Sequence, residues 1–299
     1  MFTDLAIILV NWNLKDDTIE CIDSLVKSGS AHSQIVVVDN GSTDGSIAAI
    51  DDRYKNSIVV IEAKENLGYA AGVNLGIRYV LRQNYPWILL MNNDTVVAEN
   101  FVDEMYSGTK NAKNYDILSP LILYHQNPSI IWSMGEKFLK HTLLTIGSFK
   151  AHDINENLSS IVPIDVTNGC AMMVNREIFE RVGLFDPQLI MYGEEVDFCW
   201  RARQAGYHFA CYTPARIYHK VSQSSQKDKP NARYLRMRNQ IIFYRRYTTA
   251  LQKPFYWIFT LLRLLKMIFL DSLKGHFEVI EPAIRGWMHG WFKEIVKSS

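Results

Sequence analysis

Short apolar runs that stop abruptly at amide or carboxylate side chains restrict the fold of this chain more than any other feature. Residues 6–10, 35–38 and 87–91 are almost entirely apolar, and asparagine or aspartate follows each run directly. Residues 15–27 carry apolar side chains at helical spacing between the first two runs. Strands that are apolar throughout are typical of a parallel sheet that is covered on both faces. The pattern therefore predicts an α/β fold with a mainly parallel central sheet.

The polar residues after these runs are expected to meet in one cleft, because ligands of open α/β sheets bind at the carboxyl ends of the strands. Asp94 ends the run Asn92-Asn93-Asp94, and its oxygens suit Mg²⁺ or Mn²⁺. The alternative is that these three residues only form a turn before the next helix. Asp39 also has two interpretations, a hydrogen bond to a base or ribose or a cap on the following turn.

The sequence argues against several classes of protein. Neither GxGxxG nor GxxxxGK[ST] follows the first strand, which disfavours a dinucleotide dehydrogenase and a P-loop NTPase. A net charge of +1 gives little support for nucleic-acid binding. Four cysteines without a CxxC pair indicate reduced thiols. The N-terminus shows no basic segment followed by an apolar one, so we expect no signal peptide and a cytoplasmic protein.

The second half of the chain is less regular in its pattern. The pattern predicts the following elements: a helix at 99–108, strands at 117–123 and 130–133, a polar loop at 136–160, a strand at 171–174, a helix at 176–182, a helix from about 194 to 205, and separate extended pieces at 208–212 and 217–220. Glu194 and Glu195 open the helix near 194, where carboxylates complement the helix dipole. They would also place two carboxylates at the rim of the cleft. His219 taken alone is more often structural than a metal ligand.

Five blocks of residues and one histidine match a known family in order and spacing over about residues 4–225. The blocks are Val10-Asn11-Trp12-Asn13, Val38-Asp39-Asn40-Gly41-Ser42-Thr43-Asp44-Gly45, Asn66-Leu67-Gly68-Tyr69-Ala70-Ala71-Gly72-Val73-Asn74, Asn92-Asn93-Asp94 and Gly193-Glu194-Glu195-Val196-Asp197, with His219 followed by Ser222 and Ser224. The chain resembles family 2 inverting glycosyltransferases of the GT-A fold, an αβα sandwich. Within that family it is similar to the rhamnosyltransferase-like members.

The resemblance implies a role for each matching position. Asp39 would bind the base or ribose of a nucleotide sugar, with Asn11, Asn66 and Asn93 in the same pocket. Asp94 would hold Mg²⁺ or Mn²⁺ on the diphosphate, and His219 would be a second metal ligand. Glu195 would be the general base. Two positions depart from the family pattern: Asn-Asn-Asp carries one carboxylate instead of two, and Glu-Glu replaces Glu-Asp, which leaves Glu194 as an alternative base.

The resemblance also implies a substrate class. A sugar, with rhamnose favoured, would pass from dTDP-rhamnose or a UDP-sugar to a lipid-linked saccharide in the synthesis of cell-surface polysaccharide. One alternative is a transferase that uses a UDP-hexose or a UDP-N-acetylhexosamine. Another is a non-catalytic membrane-bound scaffold, which the retained carboxylates disfavour. A nucleotidyltransferase would need a Gly-rich basic loop after the first strand, and the residues there are Asn11-Trp12-Asn13-Leu14.

The composition changes after residue 225, which predicts a catalytic domain at 1–225 and a basic, aromatic helical extension at 226–299. Residues 254–270 form an apolar run that Arg263 and Lys266 interrupt. On a helix, Thr260, Arg263, Lys266 and Lys274 would share one narrow face. This pattern favours a helix at the inner surface of the cell membrane over one that crosses it. The alternative is a helix that packs on the catalytic domain or on a second subunit of a homodimer.

Overall fold

The computed structural model describes residues 4–147, 154, 158–221 and 229–293. In these ranges the strands are β1 (Leu5–Asn11), β2 (Ile35–Asp39), β3 (Val59–Glu62), β4 (Trp87–Asn92), β5 (Thr95–Val97), β6 (Ile117–Tyr124), β7 (Ile131–Ser133), β8 (Glu136–Phe138), β9 (Thr145–Gly147), β10 (Ile161–Ile164), β11 (Ala171–Asn175) and β12 (Phe209–His219). The helices are α1 (Lys15–Lys27), α2 (Ser46–Tyr54), α3 (Tyr69–Val80), α4 (Phe101–Asn111), α5 (Arg176–Val182), α6 (Glu194–Gln204), α7 (Lys229–Tyr247), α8 (Lys253–Leu273) and α9 (Ile280–Phe292).

One large sheet organises the molecule, with the strand order β10-β12-β6-β11-β4-β1-β2-β3, while β5 pairs with β12 and β7 with β6. Parallel pairs join β1 to β2 and β4, β2 to β3, and β6 to β12. β11 is antiparallel to both β4 and β6, so these two strands point the same way. Six strands therefore share one direction and end at one edge of a mostly parallel sheet, as predicted.

Alternating side chains of the strands build two cores, one on each face of the sheet. Ile7 and Leu9 of β1 face a core that α1, α2 and α4 cover, whereas Ala6 and Ile8 face a second core under α3, α5 and α6. This alternation follows from the period of two residues along a strand. Because both faces are covered, the strands carry apolar residues at successive positions, which is the pattern that the sequence showed.

The structure differs from the predicted elements in three places. The sequence analysis assigned no element to Ser46–Tyr54, a short helix that buries only Ile50 and Tyr54 among its large apolar side chains. The predicted loop at 136–160 contains a hairpin of β8 and β9. The extended pieces at 208–212 and 217–220 are one strand, β12, whose register shifts between Tyr212 and Arg216. Ser222 and Ser224 lie outside the described residues.

The C-terminal helices pack on one another and on the rest of the chain. A Cβ atom at Gly286 or Gly290 would lie 2.6 Å from Tyr234 O or 2.7 Å from Ile241 Cβ, so these two glycines let α9 approach α7 closely. Phe243 of α7 contacts Trp200 of α6 edge-to-face, with ring centroids 6.0 Å apart. The extension is thus joined to α6, the helix that begins with the two predicted catalytic glutamates.

Helix α8 has an outward face that is mainly apolar. Thr260 points inward, where its Oγ1 accepts hydrogen bonds from the indole N–H groups of Trp287 and Trp291 at 3.1 Å each. Leu262, Leu265 and Phe269 are more than half exposed on the opposite side. Across the ranges that the structure describes, no helix is both long enough and apolar enough to cross a bilayer.

Candidate active site

A cavity of about 480 Å³ lies at the carboxyl edge of the sheet. The predicted site residues that line it are Asn66, Asn93, Asp94, Glu194, Glu195 and His219. The shared strand direction explains this convergence, because β4 and β12 both end at this edge. The helix α6 brings the two glutamates to the same cavity from a different part of the chain.

Asn11 and Asp39 lie beneath this cavity and are buried. Asn11 Nδ2 donates to Asp39 Oδ1 at 2.7 Å, and Asp39 Oδ2 accepts from the Ser42 N–H at 2.9 Å. Asn11 Oδ1 accepts from Asn93 Nδ2 at 3.1 Å and from the Thr18 hydroxyl at 2.9 Å. These bonds fix the ends of β1, β2 and β4 relative to one another. Direct contact of Asn11 and Asp39 with a nucleotide stays a prediction.

Asn40 and Asn66 form a second polar cluster at the rim. Asn40 Nδ2 donates to Asn66 Oδ1 and to Gly68 O, both at 3.1 Å, and its Oδ1 accepts from Leu67 N–H at 3.0 Å. Asn66 Oδ1 also accepts from Gly68 N–H at 2.9 Å. The two amides therefore hold the turn before α3 in a fixed shape at the cavity wall.

Asp94 and His219 form a buried pair, with Asp94 Oδ1 3.2 Å from His219 Nε2 and each residue 5 % exposed. Two backbone features bring them together. β5 begins directly after Asp94 and pairs His219 with Thr95, while Lys220 N–H donates to Asp94 O at 3.0 Å. The imidazole ring packs edge-to-face on Trp132, with centroids 4.5 Å apart. Within the described ranges, His219 Nδ1 is buried without a hydrogen-bond partner.

This pair fits a divalent metal. Adjacent ligands in an octahedral sphere with metal–ligand distances of about 2.1 Å lie about 3 Å apart, close to the separation of Asp94 Oδ1 and His219 Nε2. Among the described residues, no cluster of three or more histidine, cysteine, aspartate or glutamate side chains could hold a metal. The remaining ligands would therefore come from other groups, such as oxygens of a bound substrate or of water.

Glu194 and Glu195 occupy environments that favour their protonated forms. Burial and the neighbouring charge of Glu195 raise the pKa of Glu194 well above its ordinary value. Among the described groups, Glu194 Oε2 has no hydrogen-bond partner. Burial also raises the pKa of Glu195, although the hydrogen bond from Gly193 N–H at 2.9 Å and the charge of Arg236 oppose this rise. A carboxylate with a raised pKa is a stronger base, which suits a group that accepts a proton during a reaction.

The loop before α6 adopts a strained conformation that α7 holds in place. Ile190, Tyr192 and Gly193 have φ angles of 62°, 68° and 96°, in the left-handed region, which a β-branched residue such as Ile190 rarely adopts. Asn239 of α7 points its Nδ2 at the carbonyls of Leu189, Met191 and Tyr192, at 2.6, 2.8 and 2.8 Å. Backbone strain persists only where surrounding contacts enforce it. Asn239 therefore positions the loop that leads into α6 and its two glutamates.

A buried ionic network links α6, the helix that begins with Glu194 and Glu195, to α7. Arg246 of α7 donates to Asp186 and, at 3.2 Å, to Asp197 Oδ1. Asp197 also accepts from Arg201 Nε and from the Tyr247 hydroxyl, each at 2.9 Å. Both aspartates are at least 95 % buried. The network ties α6 to α7 one turn after the glutamates.

The residues that line the cavity but were not predicted from the sequence include Trp132, Tyr192 and Arg236. Trp132 comes from β7, in the part of the chain with the least regular pattern. Tyr192 lies in the strained loop, and Arg236 comes from α7, which was assigned to the extension. Arg236 stacks over the Tyr192 ring at 4.4 Å from its centroid. The basic, aromatic composition of 226–247 was a signal for a functional role, but no local pattern shows that α7 reaches the cavity.

Similarity to a known family identifies the kind of protein to which this chain belongs. The model of a family described as Glycosyl transferase family 2 matches residues 6–183, more than half of the chain. The chain belongs to this family. The match includes all but the first residue of β1, together with β2, β4 and the residues Asn92–Asp94, and it ends before Glu194, Glu195 and His219.

Several curated relatives resemble the chain over most of its length. It is 28 % identical over 298 residues to a low-salt glycan biosynthesis hexosyltransferase of Haloferax volcanii, which covers 97 % of this chain and 92 % of that protein. It is 27 % identical over 217 residues to an N-acetylglucosaminyl-diphospho-decaprenol L-rhamnosyltransferase of Mycobacterium tuberculosis, with 65 % of this chain and 68 % of that one covered. A dTDP-rhamnosyl transferase of Shigella flexneri is 22 % identical over 261 residues, with 82 % and 81 % covered.

Solved structures confirm the predicted GT-A fold. A mannosyltransferase of Pyrobaculum calidifontis in complex with GDP-Man and Mn²⁺ aligns with a TM-score of 0.59 at 13 % identity, over 97 % of this chain and 88 % of that chain. GalNAc-T7 with UDP, GalNAc and Mn²⁺ aligns with the same TM-score at 16 % identity, over 80 % of this chain. The chain spans about half, 49 %, of the GalNAc-T7 chain.

Proposed function

We propose that this family 2 glycosyltransferase moves a sugar, with rhamnose favoured, from a nucleotide-sugar donor to a hydroxyl of a lipid-linked saccharide in cell-surface polysaccharide synthesis, with inversion at the transferred carbon. The observation that carries the proposal is a single cavity lined both by the Asp94–His219 pair and by Glu194 and Glu195. The first pair suits the metal-bound diphosphate of a donor. The second supplies a base for an acceptor.

Each group of residues has a distinct task in the proposed reaction. Asp94 and His219 would hold the divalent ion, which neutralises charge on the departing diphosphate when it is bound. A ring nitrogen beside a carboxylate suits Mn²⁺ better than Mg²⁺, which prefers oxygen ligands. Glu195 accepts the proton of the attacking hydroxyl. No side chain is needed as a covalent nucleophile, so single displacement with inversion is the simplest mechanism.

The donor is proposed from the names of the relatives. Two of the three relatives described above are named for transfer of rhamnose, and one of these names specifies dTDP-rhamnose. The relative with the widest coverage is named only as a hexosyltransferase. dTDP-rhamnose is therefore the first candidate, and a UDP-hexose or UDP-N-acetylhexosamine is the second.

A thermal-shift panel tests the donor and the metal together. We expect dTDP-rhamnose with Mn²⁺ to raise the melting temperature more than UDP-glucose, UDP-galactose, UDP-N-acetylglucosamine or GDP-mannose. A ligand present at 100 times its Kd adds about 2.7 kcal/mol to the stability of the native state. Asp94→Asn should remove the part of the shift that depends on Mn²⁺. Absence of a shift with every donor would contradict the proposed function, and a larger shift with a UDP-sugar would replace rhamnose as the transferred sugar.

Membrane association at the inner face of the cell membrane is part of the proposal. The outward side of α8 carries Leu262, Leu265, Phe269 and Leu273, with exposed fractions of 61, 54, 64 and 69 %. Exposed apolar surface of this extent indicates an interaction site, and Lys266 on the same side suits anionic headgroups. The alternative is a second copy of the chain on the same face, which would form the predicted homodimer.

Vesicle co-sedimentation distinguishes the two alternatives. We expect the protein to bind vesicles that contain anionic phosphatidylglycerol, and Leu265→Ser/Phe269→Ser to weaken this binding at least tenfold. Each substitution removes apolar area worth roughly 1.5–3 kcal/mol when buried. Ile146→Ser is the matched control, since Ile146 is 54 % exposed on the β9 hairpin. If the double variant binds vesicles normally but converts a dimer to a monomer in light scattering, the face is a subunit interface instead.

A further inference from the structure

A second cavity, of about 310 Å³, lies between α7, α8 and the turn Phe277–Val279. Its titratable lining residues are Lys229, Arg233, Arg236, Arg263, His276 and Glu278. Four of these side chains carry a permanent positive charge and one carries a negative charge. A concave surface with charges of one sign concentrates ions of the opposite sign, so this basic cavity is built to attract an anion.

Part of this positive charge is not neutralised by the protein. Arg233 pairs with Asp271 at 3.2 Å, and Arg263 donates to Gln240, a neutral side chain. Within the described ranges, Lys229 and Arg236 form no ion pair. The cavity therefore keeps charge-assisted donors available for a ligand, and arginine forks match the oxygens of phosphate groups.

The basic cavity and the catalytic cavity adjoin each other, because Arg236 lines both. An anion held in the basic cavity would therefore lie next to the groups that carry out the transfer. The volume of about 310 Å³ is at the low end for small-molecule sites. It suits a compact anionic head group better than a complete nucleotide sugar.

The basic cavity also reaches α8, the helix that carries the exposed apolar stripe. Residues of a helix are spaced about 100° apart around its axis. Arg263, which lines the cavity, therefore lies about 100° around the axis from Leu262, at one edge of the stripe formed by Leu262, Leu265 and Phe269. Leu270, which is 40 % exposed, lies about 20° from Arg263 on the side towards the stripe. Leu270 provides apolar surface between the cavity and the stripe, along which the lipid chain of an anion held in the cavity could run.

We infer that the basic cavity binds the diphosphate of a lipid-diphosphate-linked acceptor. The lipid chain would run along the α8 stripe, and the saccharide would extend past Arg236 to Glu195. The inference rests on the proposed function, since it specifies where the acceptor of that reaction binds. It assigns Lys229 and Arg263 to diphosphate binding and Arg236 to the passage between the two cavities.

The test is a titration of the full chain with farnesyl diphosphate, in parallel with inorganic pyrophosphate and farnesol. Metal-free buffer at 0.15 M salt prevents chelation and screens distant charges beyond about 8 Å. We expect farnesyl diphosphate to bind at least tenfold more tightly than either fragment, and Lys229→Gln/Arg263→Gln to raise its Kd at least tenfold. Lys55→Gln/Lys113→Gln removes the same charge from exposed positions outside α7, α8 and both cavities, and should change the Kd less than twofold.

Three results would overturn the inference. The cavity variant could bind farnesyl diphosphate as tightly as the parent chain, or the control variant could lose as much affinity, which would indicate general charge attraction. Pyrophosphate could bind as tightly as farnesyl diphosphate, which would indicate a free-phosphate site without a lipid.

The Mn²⁺-dependent donor shift, measured on the same variants, separates the two proposals. If that shift persists while farnesyl diphosphate fails to bind, the acceptor site is wrong and the transferase function is not.

Discussion

Glu195→Gln is expected to lower the rate of sugar transfer about 10²–10⁴-fold while the Kd of the nucleotide sugar changes less than threefold. General-base catalysis contributes rate enhancements of this size, and glutamine cannot accept the hydroxyl proton. Glutamine can still accept the hydrogen bond that Gly193 N–H donates to Glu195, and Glu195 is not one of the two residues proposed to hold the metal. The measurement is the initial rate of transfer with saturating donor, combined with the donor-induced thermal shift of the same variant.

Glu194→Gln is the matched control, because Glu194 lines the same cavity and differs by one position in the helix. We expect a smaller rate loss in this variant, since Glu195 remains. If Glu194→Gln abolishes transfer and Glu195→Gln does not, Glu194 is the base. If both variants transfer sugar as fast as the parent chain, neither glutamate is the general base.

The same assay as a function of pH gives a second check on the base. Burial raises the pKa of Glu195 above its ordinary value. A base must be deprotonated to act, so the rate is expected to rise with pH through that raised pKa and to fall below it. The acid limb should therefore lie above the pH range of an exposed glutamate, whose pKa is about 4.3.

Arg246→Ala is expected to reduce the free energy of unfolding by about 3–5 kcal/mol, because removing one partner of a buried ion pair leaves the other charge uncompensated. Among the described residues, Asp186 then has no ion-pair partner, whereas Asp197 keeps its ion pair with Arg201 and its hydrogen bond from the Tyr247 hydroxyl. Urea denaturation followed by tryptophan fluorescence measures the change. Transfer activity should also fall in conditions where the variant remains folded, because Arg246 ties α7 to the helix of the catalytic glutamates.

Arg285→Ala is the control for this change. Its ion pair with Glu281 is exposed, with side chains 52 and 72 % accessible at 3.7 Å. Exposed pairs contribute about 0–1 kcal/mol, so this variant should unfold almost as the parent chain does. If Arg246→Ala lowers the free energy of unfolding by a similarly small amount, the Asp186–Arg246–Asp197 network contributes little to stability.

The parallel strands in the first half of the chain were predictable from local pattern, although the helix Ser46–Tyr54 was not. The strands at 6–10, 35–38 and 87–91 appear in the structure with ends shifted by one residue. These strands could be recognised in the sequence because strands that are covered on both faces need apolar side chains at successive positions. The second half was harder, because β7, β8 and β9 are three residues each. Such short strands depend on their partners more than on their own composition.

The sequence by itself determined the family, the mainly parallel sheet, and the residue types that meet at its carboxyl edge, because strand pattern and strand direction follow from short stretches of chain. Only the tertiary structure decided which of those residues face the cavity and which lie beneath it. Asn11 and Asp39 are equivalent in pattern to Asp94, yet their side chains are bonded to each other. The tertiary structure also brought Arg236 and Asn239 of α7 to the site. Contacts between residues far apart in the chain depend on packing of whole elements, and no local spacing encodes them.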